Sequence, residues 1–268
     1  MNPILSRDGV EVSNVCCRHE PGRGHTEECA DVTGFVLVRR GCFIRMVDGV
    51  ETVLDPTTAY FMRPGEQQRF DHPHPGGDDC TSVVLDESLV DSVFGQDFAF
   101  PTGALPVQSL VDLEHRLLLA SATAGTDADP DQIVEWAIDL VATAGELADP
   151  GGSRKSPRAG DRTRRALAGS IREILAADPD RSLPGLSRDL AASPQHLSRT
   201  FRRVTGTTIS GHRMRLRVRA AMERLAAGEG DLARLAADTG FADQSHLCRV
   251  VRRMTGETPS SLRSALTK

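Results

Sequence analysis

The sequence has 268 residues, 39% of them apolar and 26% charged, which suits about two soluble domains with real cores and excludes a disordered chain. No apolar run approaches the roughly 18 residues that would span a bilayer, so no membrane partner is expected. The net charge of −5 hides two opposite parts: from Arg154 onward 23 Lys or Arg stand against 11 Asp or Glu, and before it 9 stand against 26. A basic part suits a polyanion, because each phosphate neutralised releases condensed counterions; the acidic part would repel the same ligand.

The start, Met1-Asn2-Pro3, lacks a basic segment followed by an apolar one, and the cytoplasm is the expected compartment. From Val10 to about Leu85 the chain reads as short strands, clearest in Phe35-Val36-Leu37-Val38, Phe43 to Val47 and Thr81 to Leu85. Asp48-Gly49 is a hairpin dipeptide, and Arg40-Gly41 and Pro64-Gly65 mark further reversals, which together predict a small barrel or jelly roll.

The same region concentrates Cys16, Cys17, His19, His25, Cys29, His72, His74 and Cys80. Six cysteines are too sparse and uneven for a secreted disulfide framework, so reduced thiols are expected. If the strand ending near Phe70 pairs with the one starting near Cys80, His72 and Cys80 meet at the mouth of one hairpin, where Cys17 can reach them. Such a trio suits Zn(II). Cys16 and Cys29 are candidates for thiol redox chemistry. No C-x-x-C or H-x-x-x-H spacing is present, and structural cysteines beside an organic effector pocket explain the composition equally well.

A helical segment follows over 86–148. Leu110, Leu113, Leu117 and Leu118 share a face at about 106–122, as do Ile133, Trp136, Ala137, Leu140 and Val141 at about 131–147. Either a dimer interface or a cover over the barrel accounts for them. Asp149 to Gly160 is rich in breakers and without apolar periodicity, and reads as a linker between residues 1–148 and 161–268.

Beyond the linker everything reads helical, and the chain repeats itself. At an offset of 50, nine of the fifteen positions from 196 to 210 are identical, including His196-Leu197, Arg199, Arg202, Arg203 and Gly206. Each copy has the parts of a helix-turn-helix, at about 183–206 and 231–256. A short helix and a tight connection precede a second helix opened by an N-cap (Ser193, Asp243) and closed by a glycine (Gly206, Gly256). Along the second helices Leu197, Thr200, Phe201 and Val204 form the inward stripe, with Leu247, Val250, Val251 and Met254 as its repeat. Gln195, Ser198, Arg199 and Arg202 face outward in the first copy, and Ser245, Cys248, Arg249 and Arg252 in the second. Arg takes both guanine acceptors in the major groove and Gln suits adenine, so these faces point to double-stranded DNA. Ile209 to Ala227 reads as one helix joining the two heads.

These residues carry a resemblance. Leu-Ala-Ala-Ser-Pro-Gln-His-Leu-Ser-Arg-Thr-Phe-Arg-Arg-Val-Thr-Gly, Ala-Ala-Asp-Thr-Gly-Phe-Ala-Asp-Gln-Ser-His-Leu and Gly-Glu-Thr-Pro-Ser-Ser-Leu-Arg fall within Ser182 to Arg263, which resembles the AraC/XylS family of bacterial transcription regulators. The resemblance implies base-reading positions at Gln195, Ser198 and Arg199, and at Gln244, Ser245, Cys248 and Arg249. His196, Arg202, Arg203, His246 and Arg252 stand beside them as further DNA contacts. Val251 departs from the family's usual Phe, and Cys248 is unusual at a groove-facing position. Arg-Arg-Gly-Cys-Phe-Ile-Arg, Val-Asp-Gly-Val-Glu and Arg-Pro-Gly-Glu-Gln-Gln-Arg-Phe are similar to the cupin-type sensor domains found in this family. Cupin enzymes place a metal-binding His after the Pro-Gly turn; here Gln68 stands near that position, and no catalytic residue is assigned.

The resulting expectation is an α+β chain: a cupin-like β-barrel with helices, then an all-α double helix-turn-helix domain. It is a one-component regulator that binds an effector and DNA and forms a homodimer, with RNA polymerase as a further candidate partner. A constitutive DNA binder with a purely dimerising N-terminal domain, or a catalytic cupin fused to a DNA-binding module, are the competing readings.

Overall fold

A computed structural model describes residues 1–18, 26–96, 98–123, 129–147 and 159–267. His19, His25 and all but the end of the expected linker lie outside the described residues.

Strands β1 (Asn2–Arg7), β2 (Val10–Cys17), β3 (Thr26–Cys29), β4 (Thr33–Arg40), β5 (Phe43–Val47), β6 (Val50–Leu54), β7 (Thr58–Met62), β8 (Gln67–Asp71) and β9 (Asp78–Leu85) come first. Helix α1 (Glu87–Phe94) and the short β10 (Leu105–Pro106) lead into α2 (Ser109–Thr123) and α3 (Pro130–Leu147). The strands form two antiparallel sheets, β1-β2-β9-β4-β7-β10 and β3-β8-β5-β6. The expected barrel or jelly roll is thus a double sheet, and no ladder joins the two sheets among the described residues.

The period of two along β4 explains its unbroken apolar run. Val36 and Val38 turn toward the second sheet and pack with Phe43, Leu54, Tyr60 and Cys80. Phe35 and Leu37 turn the other way, to a core closed by Val111 and Leu118 of α2 and by Ile133, Ala137, Leu140 and Val141 of α3. The two helices therefore cover the sheet, and Trp136 and Leu110, read as inward, are 40% and 55% exposed. Asp48 and Gly49 both take positive φ (50° and 72°) in the β5–β6 hairpin, the requirement that made the dipeptide legible.

One expected pairing is wrong. β8 pairs with β3 and β5, whereas β9 lies in the other sheet between β2 and β4, so residues 72–77 cross between sheets and do not close a hairpin.

The remaining helices are α4 (Ala159–Ala177), α5 (Leu183–Asp189), α6 (Pro194–Thr205), α7 (Ile209–Ala226), α8 (Leu232–Asp238), α9 (Gln244–Thr255) and α10 (Pro259–Leu266). They make two small cores. One joins Ala168, Ile171 and Leu175 of α4 to Leu186, Leu197, Phe201 and Leu216. The other gathers Val218, Met222, Leu225, Leu235, Leu247, Val250, Val251 and Leu262, and takes in Leu113 of α2. The expected leucine stripe of α2 is thus divided between two cores, Leu118 facing the sheet and Leu113 facing the helices.

Buried charges tie α2 and the sheets to α7. Arg116 donates to Asp112 at 3.1 Å and pairs with Glu223, while Arg219 donates to the Val107 carbonyl at 2.8 Å and stands 3.9 Å from Asp112. Burial pushes the Asp112 carboxyl up, but Arg116, Arg219 and His115 together hold it below its usual range. On the other side of α7, Asp55 lies 3.5 Å from both Arg172 of α4 and His212, and accepts the Thr57 N–H and hydroxyl.

His212 is 1% exposed, and burial lowers its pKa to about 4 against the partial attraction of Asp55; Arg172, Arg215 and Arg219 lower it further. The unfolded chain, with an ordinary histidine near 6.5, then binds more protons between those values. Stability is complete above about pH 6.5 and is lost as pH falls toward 4. His212 is expected to cost about 2 kcal/mol by pH 5, since one pH unit is worth about 1.4 kcal/mol per proton. His115, lowered to about 3 by burial, acts in the same sense. Urea midpoints at pH 7.5 and 5, for the chain and for His212→Gln, measure it: a pH dependence unchanged in the variant would remove His212 as its source.

Candidate functional site

The two helix-turn-helix units are built by local signals. In the first, Ser182 caps α5 by accepting the Gly185 N–H at 3.1 Å, and Ser193 caps α6 by accepting the His196 N–H at 3.3 Å. Pro194 begins α6 where no intrahelical donor is needed, and Gly206 ends it with φ 72°. In the second, Asp231 accepts the Ala233 and Arg234 N–H groups, Asp243 accepts that of His246 at 2.7 Å, and Gly256 ends α9 with φ 82°. The turns differ. Ala191 carries a positive φ of 48° in the first, while the second places Gly240 at 76°, where a Cβ would lie 2.9 Å from the Arg217 guanidinium.

The inward stripes are as expected except at one end. Leu197, Thr200 and Phe201 are buried, as are Leu247, Val250 and Val251, but Val204 is 39% exposed because the last turn of α6 runs beyond its core. Met254, its counterpart, is half-buried against the second core. Val251, standing where the family resemblance implies Phe, is fully buried in that core.

On the outward faces, Gln195, His196, Arg199, Arg202 and Arg203 of α6 are exposed and Ser198 is half-buried. On α9, Gln244, Ser245, Arg249 and Arg252 are exposed, with His246 and Cys248 half-buried. His246 is partly occupied by the fold itself, since its Nδ1 accepts the Ala242 N–H at 3.3 Å and its ring meets Phe241 edge-on. Gln195, Ser198, Arg199 and Arg202 line a shallow groove of about 330 Å³ closed on its other side by Arg213.

Pairing separates the exposed arginines of the second helices from those of α7. On α7, Arg213 donates to the Arg181 carbonyl, Arg217 pairs with Asp180, and Arg224 pairs with Glu229 and Asp238. Among the described residues no acidic side chain pairs with Arg199, Arg202, Arg203, Arg249 or Arg252. A row of exposed, uncompensated guanidinium groups on two capped helices is suited to phosphate and base edges. α7, at 18 residues and about 27 Å, sets the distance between them.

The cysteine and histidine residues of the N-terminal part are distributed unevenly. Cys17, His72 and Asp78 bring one ligand atom each to within 4.8 Å of one another. The expected third member, Cys80, is not in that group: it is 2% exposed, its thiol donates to Asp78 Oδ2 at 3.3 Å, and burial together with Asp78 pushes its pKa well up. Asp78, missed in the sequence, reaches Cys17 because the two are directly opposite in the β2–β9 ladder. Hydrogen bonds to Asp78 and Cys17 raise His72 to about 9 against the opposing effect of burial. Cys16 and Cys29 are exposed on different sheets, and burial and Asp79 raise Cys16. A cavity of about 360 Å³ lies between the sheets, lined by Phe43, Tyr60, Met62, Phe70, Gln68 and the Cys17 group. Next to it Arg45, 1% exposed, is held by Glu66, by Gln68 at 2.8 Å and over the Tyr60 ring at 4.4 Å.

Comparison with known proteins matches a family described as "Helix-turn-helix domain" to residues 186–265. No curated protein matches the sequence. Among solved structures, ToxT from Vibrio cholerae O395 is 8% identical over 97% of this chain and 98% of its own, with a TM-score of 0.39. Unsaturated fatty acid bound ToxT from V. cholerae strain SCE256 is 11% identical over 98% of each chain, at 0.35. The AraC-like transcriptional activator CuxR is 15% identical over 77% of this chain and 75% of its own, at 0.41. No helix among the described residues is long and apolar enough to cross a membrane. The matched segment contains the capped second helix of each unit and the helix that spaces them, and residues 186–265 are an AraC-type helix-turn-helix domain.

Proposed function

We propose that this chain is a one-component transcription regulator, not an enzyme, in which α6 and α9 read successive major-groove segments of one duplex and the N-terminal double sheet holds the effector. The observation that carries the first part is the set of unpaired, exposed arginines repeated on two capped helices of one domain. The reading residues are Gln195, Ser198, Arg199 and Arg202 on α6, and Gln244, Ser245, Arg249 and Arg252 on α9. Cys248 lies among the latter.

The second part is supported by the cavity between the sheets, whose aromatic walls and few polar groups suit a small, largely apolar molecule. An effector acts only by binding two arrangements of the protein with different affinity. Two contacts make α7 the element through which it acts: Asp55 at the end of β6 faces His212, and Asp112 and Arg116 of α2 face Arg219 and Glu223. Movement of the sheets or of α2 therefore bears on the helix that sets the separation of the reading heads.

Selection of duplexes from a random pool by the full chain tests the DNA reading. Enrichment of a site with two contact blocks about one helical turn apart is expected. With about 6 to 10 phosphate contacts, affinity should fall roughly 10³- to 10⁵-fold between 50 and 200 mM salt. A pool that stays random, with no salt dependence, would reject it.

A further inference from the structure

We propose that Cys17, His72 and Asp78 form a Zn(II) site in the wall of the N-terminal cavity, with the fourth coordination position open to that cavity. The proposal stands on its own donors and goes beyond the regulator reading without depending on it.

The three groups come from separate parts of the fold and are held together by it. Cys17 and Asp78 are the terminal pair of the β2–β9 ladder, and His72 follows β8 in the other sheet, so a bound ion would bridge the sheets. The turn between them has no room to drift. Gly77 has φ 69°, and a Cβ there would lie 1.8 Å from the Cys17 carbonyl oxygen; Arg18 donates to the carbonyls of both Cys17 and Asp78.

The donors already lie within 4.8 Å of one another. Zn–S of about 2.3 Å and Zn–N and Zn–O of about 2.0–2.2 Å place tetrahedral donors roughly 3.3–3.7 Å apart, so an ion would draw the wider spacings in by up to about 1 Å and open the 2.7 Å between His72 Nε2 and Asp78 Oδ1. Asp78 supplies a second observation. Its side chain is 3% exposed, and Oδ1 lies 2.7 Å from His72 Nε2, so the fold holds the carboxylate and the imidazole against each other out of solvent. A carboxylate kept buried beside an imidazole and a thiol presents three donors that one cation can bridge. Its other oxygen is oriented by the Cys80 thiol at 3.3 Å, the kind of outer contact that fixes a metal-binding carboxylate. One thiolate and one imidazole favour Zn(II) over the hard ions Mg(II) and Ca(II), which take oxygen donors.

The test uses the full chain, stripped with a chelator and dialysed against zinc, with elemental analysis, and the same stripped chain titrated with Co(II). About one zinc per chain and a thiolate-to-cobalt charge-transfer band are expected, as for a site with one sulfur donor. Cys17→Ser and His72→Ala should weaken binding at least about tenfold, while Cys16→Ser and Cys29→Ser, both at exposed positions, retain it. A cobalt spectrum without the sulfur band overturns the proposal independently of whether any variant folds. Zinc retained in Cys17→Ser, or lost equally in Cys16→Ser, overturns it too. A metal-free chain in which Cys17 is alkylated unusually fast would also overturn it and assign the trio to thiol chemistry. DNA binding by the same protein, measured separately, decides the regulator reading: each can fail while the other stands.

Discussion

Asp112→Ala is expected to destabilise the folded chain by about 3–5 kcal/mol, the usual cost of removing one partner from a buried ion pair and leaving the other charged. Asp112 is 2% exposed, and the two guanidinium groups beside it, Arg116 and Arg219, are 4% and 2% exposed. Arg116 would keep Glu223, but Arg219 would be left with only the Val107 carbonyl. Burial already lowers the Arg219 pKa, and Asp112 is the largest influence raising it again. Urea unfolding of the chain and the variant measures the loss. Arg219→Met in the Asp112→Ala background should recover part of it, because the stranded charge is gone. A cost below about 1 kcal/mol, or no recovery in the double variant, would mean that Asp112 and Arg219 are not coupled in solution. The consequence reaches function, because these residues fasten α7 to the N-terminal part.

What could be read in the sequence divides along the range of the forces involved. The caps Ser193 and Asp243, the closing glycines Gly206 and Gly256 and the Asp48-Gly49 hairpin each act within a few residues, and the structure has all of them where the sequence places them. The outward faces of α6 and α9 follow from helical period once the caps fix the start. Val204 escaped that logic because period specifies a direction, not whether a core extends to meet it.

The N-terminal group was legible only in part, for the same reason. Cys17 and His72 stand out by residue type, whereas Asp78 is one of many acidic residues in an acidic half. Only the long-range pairing of β2 with β9 places it opposite Cys17. Cys80 had the more suggestive side chain and shares the face of β9 that carries Asp78, but it stands two residues further along the strand, packed in the core with Val38 and Tyr60. Assigning β8 and β9 to one hairpin failed because a crossing between sheets and a hairpin connection have similar turn residues, here Pro73, Pro75, Gly76 and Gly77. The division of α2 between two cores was equally invisible, since its leucine stripe carries no mark of which partner each residue meets.

Replacing Arg199 and Arg249 by Ala together is expected to weaken binding to the selected duplex by about 2–6 kcal/mol, each arginine contributing roughly 1–3 kcal/mol of discrimination against wrong bases. The two lie on separate helices with no shared partner among the described residues, so their effects should add. Each single variant should relax base preference in only one of the two contact blocks, Arg199→Ala in the block read by α6 and Arg249→Ala in that read by α9. Binding to random duplex should fall far less, because the neighbouring Arg202, Arg203 and Arg252 still meet the backbone. Arg215→Ala is the informative comparison: Arg215 lies half-buried on α7, away from both reading faces, and base preference should be unchanged by its loss. Competition titrations against the selected site, single-position mismatches and random duplex separate these outcomes. If all three variants weakened specific and random binding equally, the arginines would be serving phosphates alone, and the reading role would pass to Gln195, Ser198, Gln244 and Ser245. Loss of preference in both blocks from one substitution would instead mean that the heads do not bind independently, and that α7 transmits strain between them rather than only spacing them.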